Sequence, residues 1–266
     1  MKTDIDWQAD GRSFDRVAEI YHTYRPDYPQ ALVEAILHRS GIPAGGEILE
    51  IGSGTGKATL PFARRGYSIL CIEPGENLAK VAQDTLRQYS NVRWEIATFQ
   101  EWQAGQAQFN LIISGQAFHW VPRPAGFVKA AGLLKKSGTL AIFWNMRAES
   151  EGPVFEEIAG VYRERAPELE DGKSSEEVIL AREQELLACE NFDRVEVLRF
   201  PWTRRYDTRQ YLGLLNTYSD HLRMGEAQRA HLFEGVAEVV ERHGGAVVKP
   251  YQAVLYLAEV KKQPSG

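Results

Sequence analysis

The chain has 266 residues, 31 Lys and Arg against 36 Asp and Glu, a formal net charge of −5, and 44% hydrophobic and 25% charged residues. These proportions exclude a fibre or a disordered chain, and the acidic balance argues against a broad nucleic-acid footprint, which needs surplus cations. Two cysteines, Cys71 and Cys189, form neither a disulfide framework nor a metal-ligand set, so no metal is expected. The polar, acidic N-terminus is unlike a leader, and no run reaches the ~20 apolar residues of a membrane span, so the expected setting is soluble and cytoplasmic.

Residues 14–39 read as helix interrupted at Tyr24-Arg-Pro-Asp-Tyr-Pro29, where two prolines force a bend. Apolar runs of strand length then alternate with helical patterns, the signature of βαβ units and a parallel sheet. Strands are expected at 47–52, 68–73, 92–97, 109–114 and 138–144, with helices at 56–65, 76–90 and 123–135 between them. Residues 146–191 are charged and mostly helical, 195–200 is strand-like, and 208–243 returns to helix with a break near Gly225. An alternating run over 247–260 closes the chain as a last strand before a polar tail.

The first strand breaks into Gly52-Ser-Gly-Thr-Gly56. Glycine at every second position clears a strand end of side chains, so backbone amides can approach a ligand. A dinucleotide loop needs G-x-G-x-x-G, whereas here Lys57 follows Gly56 and the third glycine comes one residue early; no Walker phosphate loop occurs. The spacing therefore favours S-adenosylmethionine, with Glu50, Gly52, Ser53, Gly54, Thr55 and Gly56 as candidate cofactor residues.

Ligands of an open parallel sheet bind outside the carboxyl ends of its strands. Glu73 ends the second strand about 20 residues beyond the glycines and can accept from both hydroxyls of an adenosine ribose, with Pro74 adjoining it. Thr98, Phe99 and Gln100 are candidates for the adenine edge, and Trp102 is expected in the core. The fourth strand runs through Ser114 and Gln116, further candidate cofactor residues, to His119 and Trp120, the candidate catalytic residues, near the methyl-donor end. His119 is a candidate base or carboxylate ligand, with a structural histidine beside Trp120 as the alternative. Tyr21 and Arg25 are candidates for a lid over the cofactor, Arg25 or a tyrosine hydroxyl reaching its carboxylate. Trp202 and Tyr211 are read as core, and Arg204 and Arg205 as a solvated strand edge.

With these residues placed, the chain resembles the class I S-adenosylmethionine-dependent methyltransferases, type 11 group. Glu50-Ile-Gly-Ser-Gly-Thr-Gly56 resembles the family's first motif, Glu73 its ribose-binding acid, and Phe109 to Trp120 its fourth-strand motif. Phe14-Asp-Arg-Val-Ala-x-x-Tyr21, the Tyr24 to Pro29 stretch and the Tyr211 to Ser219 segment are similar to the trans-aconitate methyltransferase-like subgroup. Where many relatives carry an acid after the third strand to hold adenine, this chain has Ala97, Thr98 and Gln100.

The resemblance implies an α/β, Rossmann-like, doubly wound sheet of seven mostly parallel strands, the last antiparallel, with helical insertions capping the ligand end. It implies one domain: a lid at 1–40, a cofactor core at 41–145, an acceptor cap at 146–246 and the last strand at 247–262. It also implies methyl transfer from S-adenosylmethionine, with release of S-adenosylhomocysteine, to a small molecule, first a carboxylic acid. A regulator that binds S-adenosylmethionine without turnover and a nicotinamide-dependent dehydrogenase are the competing readings. The resemblance names neither the acceptor nor the oligomeric state.

Overall fold

The computed structural model describes residues 15, 17–169 and 174–261. Phe14 and Arg16 of the expected lid motif, and the tail after Lys261, lie outside the described residues.

Seven strands form one sheet: β1 (Glu47–Ile51), β2 (Ser68–Ile72), β3 (Val92–Glu95), β4 (Phe109–Gly115), β5 (Leu134–Arg147), β6 (Phe192–Asp207) and β7 (Ala246–Val260). Their order is β3-β2-β1-β4-β5-β7-β6. The first five pair in parallel, and β7 runs antiparallel to both β5 and β6. The chain leaves β1 toward β2 on one side and returns as β4 on the other, which opens a crevice at their carboxyl ends. The antiparallel last strand is the one the resemblance implies.

The connecting helices are α1 (Ala18–Tyr24), α2 (Gln30–Ser40), α3 (Thr59–Ala63), α4 (Glu76–Leu86) and α5 (Ala125–Leu133). The cap adds α6 (Pro153–Arg165), α7 (Ser175–Leu187), α8 (Thr208–Leu215), α9 (Ser219–Arg223) and α10 (Glu226–Arg242). Buried apolar residues fall into three clusters. Two cover the faces of the sheet, around Leu49, Ile112 and Trp144 on one and Ile48, Phe62 and Leu255 on the other. The third unites α6, α8 and α10 with the sheet through Tyr206, Tyr211, Leu214 and Val236.

Several expected boundaries move. The helix expected at 56–65 shrinks to α3 because the glycine loop delays its start, and the strand expected at 92–97 ends at Glu95, leaving Ile96 49% exposed. The largest difference is β6, expected over 195–200 and observed over sixteen residues. The last paired position of β5 is Arg147, opposite Tyr251, yet β6 and β7 continue as a two-stranded arm through Thr203–Asp207 and Ala246–Pro250. Pro250 is tolerated there because β7 has β6 alone as neighbour at that point, and Pro201 lies on the edge strand. The arm projects past the carboxyl end of β5 and forms the base of the cap.

Candidate functional site

Gly52 and Gly54 have φ of 70° and 54°, which non-glycine residues rarely adopt. A Cβ on Gly52 would stand 2.4 Å from the Ala117 Cβ, so only glycine lets this loop approach the turn after β4. A Cβ on Gly54 would meet nothing within 4 Å: there the loop borders open space. Gly56 closes the turn, its N–H donating to the Ser53 carbonyl at 3.0 Å. Ser53 and Thr55 are buried, and the Thr55 Oγ1 has no hydrogen-bond partner. A buried hydroxyl without a partner costs roughly 1–3 kcal/mol, so a polar guest at this loop would be stabilised.

Glu73 lies 5% exposed across the loop. Its two carboxylate oxygens accept from the Gly54 N–H at 2.7 Å and the Gly75 N–H at 2.9 Å. Burial pushes its carboxyl up and these two bonds pull it down, leaving it at about 7. Each oxygen keeps a second lone pair for a ribose hydroxyl. Pro74 is exposed beside it.

Two expected cofactor residues stand behind the site instead of lining it. Glu50 is 1% exposed, and burial raises its carboxyl to about 8 while Thr59 and Cys71 hydrogen-bond it. It supports the loop from the core because its strand position faces away from the crevice. Ser114 is fully buried and donates to the Ile51 carbonyl at 2.8 Å, stapling β4 to β1.

After β3, Thr98 donates to Glu101 at 2.7 Å, and the Phe99 carbonyl is taken by Lys129 at 2.6 Å. Gln100 is exposed, its amide 3.5 Å from the Trp120 carbonyl. Trp102 is core, 5% exposed, its indole N–H donating to Glu95. Tyr211 is core as expected, at 4% exposed, whereas Trp202 is half-buried, stacked on Tyr251 and bonded to Asn145 at 3.1 Å.

The base expected at His119 does not fit the geometry. Its Nδ1 accepts from the Trp144 indole N–H at 3.2 Å, and that indole can only donate, which leaves the ring proton on Nε2. Burial, with Arg182 and Arg123 nearby, depresses the imidazole to about 3. His119 is thus a neutral hydrogen-bond donor packed 4.6 Å from the Trp120 ring, in a wall completed by Trp144 and the Arg182 guanidinium 3.9 Å over it.

The N-terminal segment joins the two halves of the site. Asp15 accepts from the backbone of Asn77 and Leu78 at the start of α4, and Asp27 pairs with Lys57 at 2.8 Å beside the glycine loop. On the cap side, Tyr24 packs so closely on α8 that a Cβ on Gly213 would lie 2.5 Å from its ring. Arg25 lies between the rings of Tyr21 and Tyr218, at 5.3 and 4.6 Å, and donates to the Thr217 carbonyl at 2.7 Å. His22 is unmarked by any motif in the sequence; its buried Nδ1 has no hydrogen-bond partner, and Thr55 and Lys57 lie near its ring. Its spacing with Arg25, one helical turn, was the available signal.

Between lid, sheet and cap lies a cavity of about 240 Å³ lined by Arg25, Gln116, Asn145, Arg147, Tyr218 and Asp220, among others. Gln116 holds φ at 59°, a strained conformation for a side-chain-bearing residue and one found at functional turns. The arm carries Lys249, 8% exposed, its ammonium 5.4 Å from the ring of Tyr251 in the cavity lining and lowered to about 8 by burial and then by Arg147. Arg204, read from sequence as a solvated edge, lies opposite Lys249 and donates to the Arg25 carbonyl at 3.3 Å; Arg205 is exposed as expected. Arg147, Asn145 and Lys249 were invisible as site residues because no local motif marks them.

Among the described residues no helix is long and apolar enough to cross a membrane. Residues 48–138 match the methyltransferase domain family. An uncharacterized methyltransferase of Schizosaccharomyces pombe is 23% identical over 87% of this chain and 88% of its own length. A type II methyltransferase structure from Anaeromyxobacter dehalogenans superposes with a TM-score of 0.60 at 19% identity, covering 89% of this chain and 97% of that one. Haemonchus contortus phosphoethanolamine N-methyltransferase 2, solved with S-adenosylhomocysteine, gives 0.54 at 16%, covering 97% and 61%. The buried Thr55 hydroxyl, the open space at Gly54 and the carboxylate of Glu73 suit a ligand with polar, nucleoside-like parts. With a methyltransferase domain at 48–138 on this sheet, the chain is an S-adenosylmethionine-dependent methyltransferase.

Proposed function

We propose that the enzyme methylates a carboxylate oxygen of a small anionic acceptor, the activity expected of the trans-aconitate methyltransferase-like subgroup. The observation that carries this reading is the pair of arginines in the cavity: Arg25 and Arg147 line it, and the buried Lys249 lies over the ring of Tyr251 in its lining, in a chain whose net charge is −5. Arginine forks match carboxylates in geometry as well as charge.

Bound S-adenosylmethionine supplies a methyl group on a positively charged sulfur. In this reading Gly52 to Gly56, Glu73 and Thr98 to Gln100 hold the donor, and Tyr21, His22 and Arg25 close over it. Arg25 also faces the acceptor, which it orients with Gln116, Asn145 and Arg147, with His119 and Trp120 as a wall that excludes water. A carboxylate is already an anionic nucleophile and needs no base, in keeping with a His119 ring depressed to about 3. Positioning then carries the acceleration. Residues 1–40 act as the lid, 41–145 as the donor core, 146–246 as the acceptor cap and 247–262 as the closing strand. The free thiols Cys71 and Cys189 support a reducing, cytoplasmic setting.

The test is transfer of isotope-labelled methyl to a panel of carboxylic acids, followed by mild alkali. A methyl ester releases labelled methanol. Label that stays fixed in alkali overturns O-methylation of a carboxylate, and folded protein that does not bind S-adenosylmethionine in a calorimetric titration overturns the whole reading.

A further inference from the structure

The cavity lining is not wholly cationic. Asp220, in the first turn of α9, lines the same cavity. Its Oδ1 accepts from the His221 backbone N–H at 2.8 Å and from the His221 ring Nδ1 at 2.7 Å. The His221 Nε2 meets the Tyr162 hydroxyl at 2.7 Å, so three side chains form one chain running from the cavity into the cap. His221 is 2% exposed and ringed by Tyr162, Tyr218 and Phe233. Burial pushes the Asp220 carboxyl up, but the bonds from His221 and the charge of Arg147 outweigh it and hold the group at about 2, ionised at any physiological pH.

Helix capping does not account for this arrangement. A capping side chain accepts from an N–H two or three residues ahead, whereas Asp220 accepts from its immediate neighbour and from a buried imidazole. A fixed carboxylate in the same cavity as two arginines opposes a guest that is only anionic: like charges at 4 Å repel by roughly 1–4 kcal/mol at effective dielectrics of 80 to 20. A guest that carries a hydrogen-bond donor as well as a carboxylate meets both signs of charge.

We propose that Asp220, oriented by His221 and Tyr162, selects an acceptor that carries an ammonium or hydroxyl group besides the carboxylate held by Arg25 and Arg147. This rests on the anionic-acceptor reading above. Asp220 is a specificity residue, and His221 and Tyr162 are positioning residues.

The experiment titrates the enzyme, saturated with S-adenosylhomocysteine, with C4, C5 and C6 dicarboxylates in matched forms: unsubstituted, 2-hydroxy and 2-amino. In wild type the best-bound substituted acid is expected to bind at least tenfold tighter than its unsubstituted partner. D220N keeps an oxygen to accept from His221 but loses the charge, and is expected to compress that ratio below threefold with S-adenosylhomocysteine affinity unchanged. Y162F, which removes one hydroxyl deep in the cap, is expected to reduce the ratio by about threefold and provides a second measure should D220N fail to fold. A wild-type ratio near one, or a ratio unmoved in both variants, overturns the proposal and leaves the anionic-acceptor reading standing. Failure of every dicarboxylate to bind protein that binds S-adenosylhomocysteine overturns both.

Discussion

In the proposed reading, the donor and acceptor halves of this site are built on opposite plans. The donor half comes from short contiguous stretches, residues 50–56 and 73–75, and works largely through backbone: glycines at φ 70° and 54°, and amides given to Glu73. The acceptor half draws Arg25, Gln116, Arg147 and Asp220 from four distant parts of the chain, with Lys249 over the Tyr251 ring from a fifth, and works through side-chain charge. A backbone site tolerates few substitutions but accepts one ligand type, whereas a side-chain site can be rewritten one residue at a time. The lid belongs to both, through Asp27 on Lys57 and Arg25 on the Thr217 carbonyl.

The sharpest way to break this contrast is Gly52→Val. Its side chain would meet Ala117 in a left-handed conformation, and a loss of about 2–4 kcal/mol in unfolding free energy is expected, with S-adenosylhomocysteine binding abolished in calorimetry. A variant that still binds would show that the loop does not depend on glycine there. Arg147→Ala is the counterpart in the other half. Acceptor kcat/KM should fall by roughly a hundredfold, while donor affinity stays within about threefold. Loss of donor affinity instead would merge the two halves.

Glu73→Ala should weaken S-adenosylhomocysteine by roughly 30-fold, as hydrogen bonds to a charged group are removed. In wild type, ribose hydroxyls favour the ionised carboxylate, so donor affinity should be full above the free value of about 7 and fall by up to about tenfold per unit as pH drops below it. The variant should lose that dependence. Flat donor affinity in wild type would remove Glu73 from the ribose.

Glu50 gives a stability effect of the opposite pH sense to that affinity loss. Its folded carboxyl, raised to about 8, binds a proton that the unfolded chain releases at 4.5, so ligand-free stability should decline as pH rises between those values. The Glu50 share of the slope is at most about 1.4 kcal/mol per pH unit, and Glu50→Gln should remove that share in denaturant melts, leaving the slope that Glu73, raised to about 7, adds below that pH. The smallest effect is expected at His119. His119→Gln should lower kcat by less than tenfold and leave the pH profile without a changed limb, because the imidazole is neutral throughout. A limb between pH 6 and 7 that disappears in this variant would restore His119 as a base.

The strands of the first half and the donor loop were readable because each signal is local. Alternation of apolar runs places β1, β2 and β4, and the glycine spacing marks one turn. Glu50 was assigned to the cofactor by its place in the first motif and Ser114 by neighbourhood; strand position turned Glu50 into the core and Ser114 onto the Ile51 carbonyl. The alternation of Trp202, Arg204 and Tyr206 was present in the sequence, but the length of β6 depended on β7 continuing beside it.

Sequence by itself determined that a strand must end in a glycine loop able to admit a nucleoside-like donor, because backbone conformation there is set by residue type. Tertiary structure decided what His119 can do, since its basicity depends on Trp144, Arg182 and Arg123 from other elements. It also decided the charge of the acceptor cavity. Arg25, Arg147 and Asp220 lie more than seventy positions from one another in the chain, and the lid, the end of β5 and the cap bring them to one space. Electrostatic energy depends on distance and burial, which spacing along a chain does not encode once the chain has folded back on itself.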